Sequence, residues 1–545
     1  MLVAEAVGRA LVAAGIDHVF GVVGSGNFHV TNAMVAAGAR FVASRHEGGG
    51  ATMADAYARM SDRPAALTVH QGCGLTNAMT GIAEAAKSRT PLVVVAAEST
   101  QTRSNFYVDQ ESLAMAVGAV PIRVDDPARA IEQTVAAVAL AVQQRRTVLL
   151  NLPLEVQVAV AEGDPDVGPA VTAAAPTEPE PEQVQQLVEA LRRADRPVFV
   201  AGRGARSSSA RDALTALADW SGALLATSAV AKGLFGDHPF SLDVSGGFAS
   251  PLAAELIGDA DLIVGWGCAL NMWTMRHGAL IADGATVVQV DDTADAIGAH
   301  RGLTFGVLGD VAETARTVLE ALESARPGYR STALAIRLAS SLPWRAVPFE
   351  DGSDGARIDP RALTIALDDL LPLERVVAVD SGNFMGYPSM FLRVPDERGF
   401  CFTQAFQSIG LGLATAIGAA LAQPDRLPVA ALGDGGALMA AAELDTVRRL
   451  GLPMVVVVYN DAAYGAEVHH FGPDGYPLGT VEFPETDIAA IARGYGFEAV
   501  TVRDLADLQA VRDWLSGPRS TPLLIDAKVV ADQPSWWLEE AFRGH

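Results

Sequence analysis

Through most of its 545 residues the chain alternates strand-length apolar runs with helical stretches, and this limits the fold more than any other property. Runs such as 92–97 and 454–459 lack an exposed face, as strands do when helices cover both sides of a parallel sheet. The expected class is α/β, with doubly wound parallel sheets. A chain this long is expected to divide into two to four domains. Two passages break the alternation. Residues 158–183 are rich in Pro, Ala and acid, without apolar periodicity, and residues 328–360 carry Gly, Pro and Ser clusters around a short helical piece. Cutting there gives units near 1–160, 184–325 and 355–545.

Residues 429–464, VAALGDGGALMAAAELDTVRRLGLPMVVVVYNDAAY, read as strand, glycine turn, helix and strand, with Asp434 and Asp461 at the strand ends. A right-handed crossover brings the carboxyl ends of two parallel strands to one edge, where both carboxylates can reach a single divalent cation. Gly433, Gly435 and Gly436 let main-chain N–H groups approach a phosphate, and a helix expected from about Ala437 points its positive end there. Hard oxygen ligands beside a diphosphate suggest Mg²⁺. A net charge of −24 argues against a broad nucleic-acid footprint, though not against an anion neutralised locally.

The middle unit opens with RPVFVAGRGARSSSAR, a strand, a GxG turn and a helix, which suits a Rossmann-like layer. Asp291-Asp292, after a later strand, suit either a ribose contact or a solvated turn. Cys73, Cys268 and Cys401 form no metal-ligand pattern and read as small core residues in a reducing compartment. No apolar run approaches the roughly 20 residues of a membrane span, and the N-terminus enters a helix without a cleavage pattern. A cytoplasmic protein without membrane partners is the expectation.

The segment 433–461 resembles the GDG…Asn-Asn motif of thiamine diphosphate enzymes, with Asn460-Asp461 in place of the Asn pair. Further along the chain, FGVVGSGN (20–27), SRHEGG (44–49), HQGCGLTNAM (70–79), QSIGLGLATAIGAALA (407–422) and GDGG…YNDAAYG (433–465) follow the order of one superfamily. It includes benzoylformate decarboxylase, pyruvate oxidase and acetohydroxyacid synthase. The resemblance implies a pyrimidine-binding domain and a diphosphate-binding domain flanking a Rossmann-like central domain. It also implies a homodimer as the minimum unit, a dimer of dimers as a common form, and a site shared between subunits.

The same resemblance assigns roles. Asp434, Asp461 and the Ala463 carbonyl would hold Mg²⁺. Gly433, Gly435, Gly436 and Tyr464 would surround the diphosphate, with Ser381, Gly382 and Asn383 after another strand. Ile409 would prop the cofactor into its bent shape, and Gln407 would meet the pyrimidine. Glu47 would share a proton with the aminopyrimidine, His70 would relay protons, and Ser25 would meet a substrate carboxylate. Gln110 resembles a substrate-facing glutamine of the synthases and oxidases. His469-His470 border the motif in a stretch read as extended, where only one of them can face a pocket and a metal site is not expected. DQPSWWLEEAFRGH reads as an aromatic amphipathic helix, a lid or simple surface packing. The implied substrate is a 2-oxo acid, decarboxylated with an aldehyde as a further acceptor. Acetolactate-synthase-like ligation is the alternative, and FAD in the central domain is permitted by the GRGAR turn but not favoured.

Overall fold

The computed structural model describes residues 1–165, 170–532 and 534–541. Three six-stranded sheets, parallel throughout, organise the chain. The first contains β1 (His18–Gly21), β2 (Arg40–Ala43), β3 (Ala65–Val69), β4 (Leu92–Glu98), β5 (Val120–Arg123) and β6 (Thr147–Pro153), in the order 2-1-3-4-6-5. The second contains β7 (Pro197–Ala201), β8 (Leu224–Thr227), β9 (Ser241–Val244), β10 (Leu262–Trp266), β11 (Thr286–Asp291) and β12 (Phe305–Leu308). Its order, 9-8-7-10-11-12, is the dinucleotide-fold order counted from its own first strand. The third contains β13 (Arg375–Val379), β14 (Phe400–Phe402), β15 (Leu427–Gly433), β16 (Val455–Asn460), β17 (Glu498–Val502) and β18 (Leu523–Lys528). Its order, 14-13-15-16-18-17, repeats that of the first sheet.

The three-sheet α/β architecture is the one expected from the alternation. β16, VVVVYN, is buried along its whole length because helices cover both faces, and its β-branched run suits the pleat. Four helices matter for the site: α1 (Glu47–Ser61), α2 (Cys73–Lys87), α3 (Gly412–Ala422) and α4 (Asp434–Met439). One core joins the first and third domains. Met53, Ala54 and Tyr57 of α1 pack with Leu413, Ala416 and Ile417 of α3 above Ala430 and Leu432 of β15.

Candidate active site

β15 and β16 pair in register with Gly433 opposite Tyr459, so Asp434 and Asp461 leave neighbouring strands at one edge. Asp434 is buried and Asp461 half-buried, and both carboxyls are pushed up, Asp434 to about 7 and Asp461 to about 6. Burial is the main cause for each, and for Asp434 the charge of Asp461 adds to it. Such a pair is costly to ionise fully unless a cation sits between its oxygens. After Asp461 the chain turns sharply through Ala462, at φ 59°, and the Ala463 N–H donates to Asp461 Oδ1 at 3.2 Å. No hydrogen bond from a described residue reaches the Ala463 carbonyl. Two paired carboxylates and a free carbonyl fit a hard divalent cation.

The helix begins at Asp434, three residues earlier than expected, and runs for six residues. A helix this short has little dipole, so an anion here would meet the N–H groups of the glycine turn. Gly436 is required by a close approach, since a Cβ there would lie 2.2 Å from Asp380 Oδ2. Tyr464 closes the other side, its ring lying 2.7 Å from where a Gly435 Cβ would be and edge-on to Phe483.

Asp380, at the end of β13, was missed in the sequence although it stands beside Ser381. It is fully buried, accepts N–H groups from Ser381 at 2.8 Å and Gly410 at 3.0 Å, and is raised by burial to about 6. It thereby ties the Ser381-Gly382 turn to the loop carrying Gln407 and Ile409. Gln407 is exposed at φ 60°, and Ile409 is half-buried. Asn383 also anchors the C-terminal segment. Its Oδ1 accepts the Ser535 N–H at 3.0 Å, and its carbonyl accepts the Ser535 hydroxyl at 2.6 Å and Trp537 Nε1–H at 2.9 Å.

The other candidates gather at the carboxyl ends of β1, β2 and β3. Glu47 is the first residue of α1, half-buried, and its Oε2 accepts Asn77 Nδ2–H at 3.1 Å. His70 follows β3. Its Nδ1–H donates to the Gln71 carbonyl at 3.0 Å, which leaves Nε2 facing Ser25 Oγ at 3.4 Å. Gly74 lies between the two candidates: a Cβ there would sit 3.2 Å from the His70 Cβ and 3.5 Å from Glu47 Oε1. Asn27 shapes the Ser25 turn, its Oδ1 accepting Gly24 N–H and its Nδ2–H donating to Val22 carbonyl and Thr68 Oγ1.

Gln110 does not face this group. It is buried, with Oε1 accepting the Gly72 N–H at 3.2 Å and Nε2–H donating to Asn151 Oδ1 at 2.8 Å. One bond at each end of its amide ties it to the turn behind His70. Among the described residues no hydrogen bond or ion pair links Glu47, His70 or Ser25 to Asp434 or Asp461.

Other expectations change. Cys268 and Cys401 are buried, whereas Cys73 is exposed at the start of α2. His469 and His470 lie on a helix, Gly465–Phe471, and are not extended. Among the described residues no three His, Cys, Asp or Glu side chains form a metal cluster. In the GRGAR turn both glycine N–H groups are paired, Gly202 to the Trp266 carbonyl and Gly204 to the Gly267 carbonyl. Asp291 and Asp292 face Arg89 and Arg145 of the first domain, so they form a domain contact where a ribose site was considered. Trp536–Ala541 is helical, and the rest of the tail motif at 533 and 542–545 lies outside the described residues. No helix among the described residues is long and apolar enough to cross a membrane.

Comparison with known proteins places these features in a family. Three models match: the thiamine pyrophosphate enzyme N-terminal TPP binding domain over residues 1–117, the central domain over 184–321, and the C-terminal TPP binding domain over 380–527. A sulfoacetaldehyde acetyltransferase of Castellaniella defragrans is 27% identical, across 93% of this chain and 89% of the relative. A probable 2-ketoarginine decarboxylase, AruI, of Pseudomonas aeruginosa is 28% identical, across 94% and 91%. An acetolactate synthase large subunit of Parasynechococcus marenigrum is 27% identical, across 96% and 87%. In fold, the chain is similar to a thiamine diphosphate-dependent 4-hydroxybenzoylformate decarboxylase of Rhodococcus jostii RHA1. The TM-score is 0.82 with 23% identity, covering 98% of this chain and 100% of that one.

Proposed function

Because the chain belongs to the thiamine pyrophosphate-dependent enzyme superfamily, we propose that it binds thiamine diphosphate with Mg²⁺ and decarboxylates a 2-oxo acid, with carboligation to an aldehyde as a further outcome. The observation that carries this reading is the Asp434–Asp461 pair, which meets at one sheet edge beside the Gly433–Gly436 turn. Asp434, Asp461 and the Ala463 carbonyl would hold the cation, and the glycine turn would receive the diphosphate. When bound, thiamine diphosphate supplies a nucleophilic carbon and an electron sink for cleaving a bond beside a carbonyl.

The chain's own residues set up that chemistry. Glu47, oriented by Asn77, would share a proton with the aminopyrimidine. The Nδ1–H bond to Gln71 fixes the His70 ring, so a proton relayed by His70 would pass through Nε2. Ser25, beside that nitrogen, binds the substrate carboxylate. Ile409, half-buried on the neighbouring loop, would pack against the bound cofactor. Glu47 of one copy works on a cofactor held by a second copy's metal site, which makes a homodimer the smallest complete unit.

A second reading, acyl transfer or acetolactate-type ligation, is favoured by the acetyltransferase and synthase relatives. Incubation with a panel of 2-oxo acids, with and without aldehyde acceptors, separates the two. CO₂ release with free aldehyde as the main product supports decarboxylation. A ligated or acetyl-transferred product formed at the expense of aldehyde supports the second reading, and no CO₂ from any 2-oxo acid contradicts both.

A further inference from the structure

Glu443 is 3% exposed, at the end of the 3₁₀ turn Ala441–Glu443 that follows α4. Its Oε1 accepts the main-chain N–H groups of Arg45 and His46, each at 3.0 Å. Its Oε2 accepts the Arg45 N–H at 3.2 Å and the Thr446 hydroxyl at 2.6 Å. A buried carboxylate of the third domain therefore anchors the turn that enters α1, one residue ahead of Glu47. Gly49 makes room, since a Cβ there would lie 2.5 Å from Glu443 Oε1. Arg449 Nη2–H also donates to the Ala43 carbonyl at 2.7 Å, so residues 43–46 are held from the same stretch.

The first domain does the converse. Glu84 of α2 accepts the N–H groups of Ala405 at 3.0 Å and Phe406 at 2.6 Å, just ahead of Gln407 and Ile409. Two domains of the same strand order thus exchange buried carboxylates, each onto two consecutive N–H groups before a candidate site residue.

We propose that Glu443 is a positioning residue, which aims the Glu47 carboxyl from the third domain of the same chain; the inference rests on the reading of Glu47 given above. The physical reason is local. His46 is extended, at φ −139° and ψ 143°, so Glu47 enters the helix directly from the turn that Glu443 holds. Removing the acceptor leaves two N–H groups without their partner and frees the turn to relax. A displacement near 1 Å at a proton-handling group is enough to slow its step severely.

The test uses the full-length enzyme loaded with thiamine diphosphate and Mg²⁺. It reads exchange of the cofactor C2 proton into deuterium oxide by quenched NMR, and cofactor affinity by calorimetry. Glu443→Ala is expected to slow exchange about tenfold or more while affinity changes by less than about threefold. Glu443→Gln, which keeps an acceptor oxygen at the same reach, is expected to restore most of the rate. Should Glu443→Ala not fold, Glu443→Asp decides, because it keeps the charge but withdraws it by one methylene, and slowed exchange is expected there too. Wild-type exchange in folded, loaded Glu443→Ala or Glu443→Asp overturns the proposal, as does a loss of affinity in step with the rate. Glu47→Gln separates the two levels: if it exchanges normally, the reading of Glu47 itself fails; if it does not, a normal Glu443→Ala rejects only this inference.

Discussion

The two aspartates of the metal edge make their assignment testable by pH. Both folded values, about 7 for Asp434 and about 6 for Asp461, lie above the ordinary carboxylate range. The native state therefore holds protons there that the unfolded chain has released. The stabilisation linked to those protons is complete below the unfolded value near 3.8 and is lost as pH rises through about 6 to 7. A cation must displace the proton, so the affinity for Mg²⁺ should rise from pH 5.5 to about 7 and then level off. Calorimetry in buffers of different ionisation enthalpy should show proton release that fades above that range, and pH-independent binding would refute the link. Glu47→Gln should bind the cofactor normally while turnover falls about 10²–10⁴-fold, as expected on loss of an acid–base group. Comparing kcat with calorimetric affinity checks this.

At the scale of elements, the buried Arg59 on α1 shows how the domains are locked. It donates to Asp55 at 2.5 and 2.8 Å, to Glu84 at 2.8 Å, to the Ser88 hydroxyl at 2.6 Å and to the Phe402 carbonyl at 3.1 Å. Burial works against the charge of Glu84, yet Arg59 and the N–H groups of Phe406 and Ala405 prevail and its pKa falls. Glu84→Ala leaves Arg59 with one anionic partner fewer. It should cost about 3–5 kcal/mol, read as a lower thermal midpoint, and should loosen the 405–409 loop to hydrogen exchange. The parallel sheets were legible because runs such as VVVVYN have no polar face, and Asp434 and Asp461 were legible because each ends such a run. Glu84 and Glu443 were not, because the main-chain N–H groups they accept from the other domain lie more than 300 residues away. The available hint was an acid within a small-residue stretch, GIAEAAK and AAAELDT. The contacts of Gln110 with Gly72 and Asn151 were hidden for a similar reason, since nothing local reveals either of them.

Across the whole molecule, three sheets share the labour. The central domain is fastened to the first by Arg145–Asp292 and by Arg203 donating to the Ser88 carbonyl, which leaves its glycine turn to packing. The first and third domains carry the candidate side chains at separate sheet edges, which suits a site completed between copies. Glu47→Gln and Asp434→Ala chains, each inactive alone, should regain activity when co-assembled, because one site of the mixed dimer keeps both wild-type residues; failure to complement would place the site within one chain. The central claim is that these carboxylates clamp thiamine diphosphate through Mg²⁺. Titration of the full-length protein with thiamine diphosphate tests it most directly: saturable binding that requires Mg²⁺ and disappears in Asp434→Ala is predicted, and either no binding or binding indifferent to Mg²⁺ and to Asp434 would contradict it.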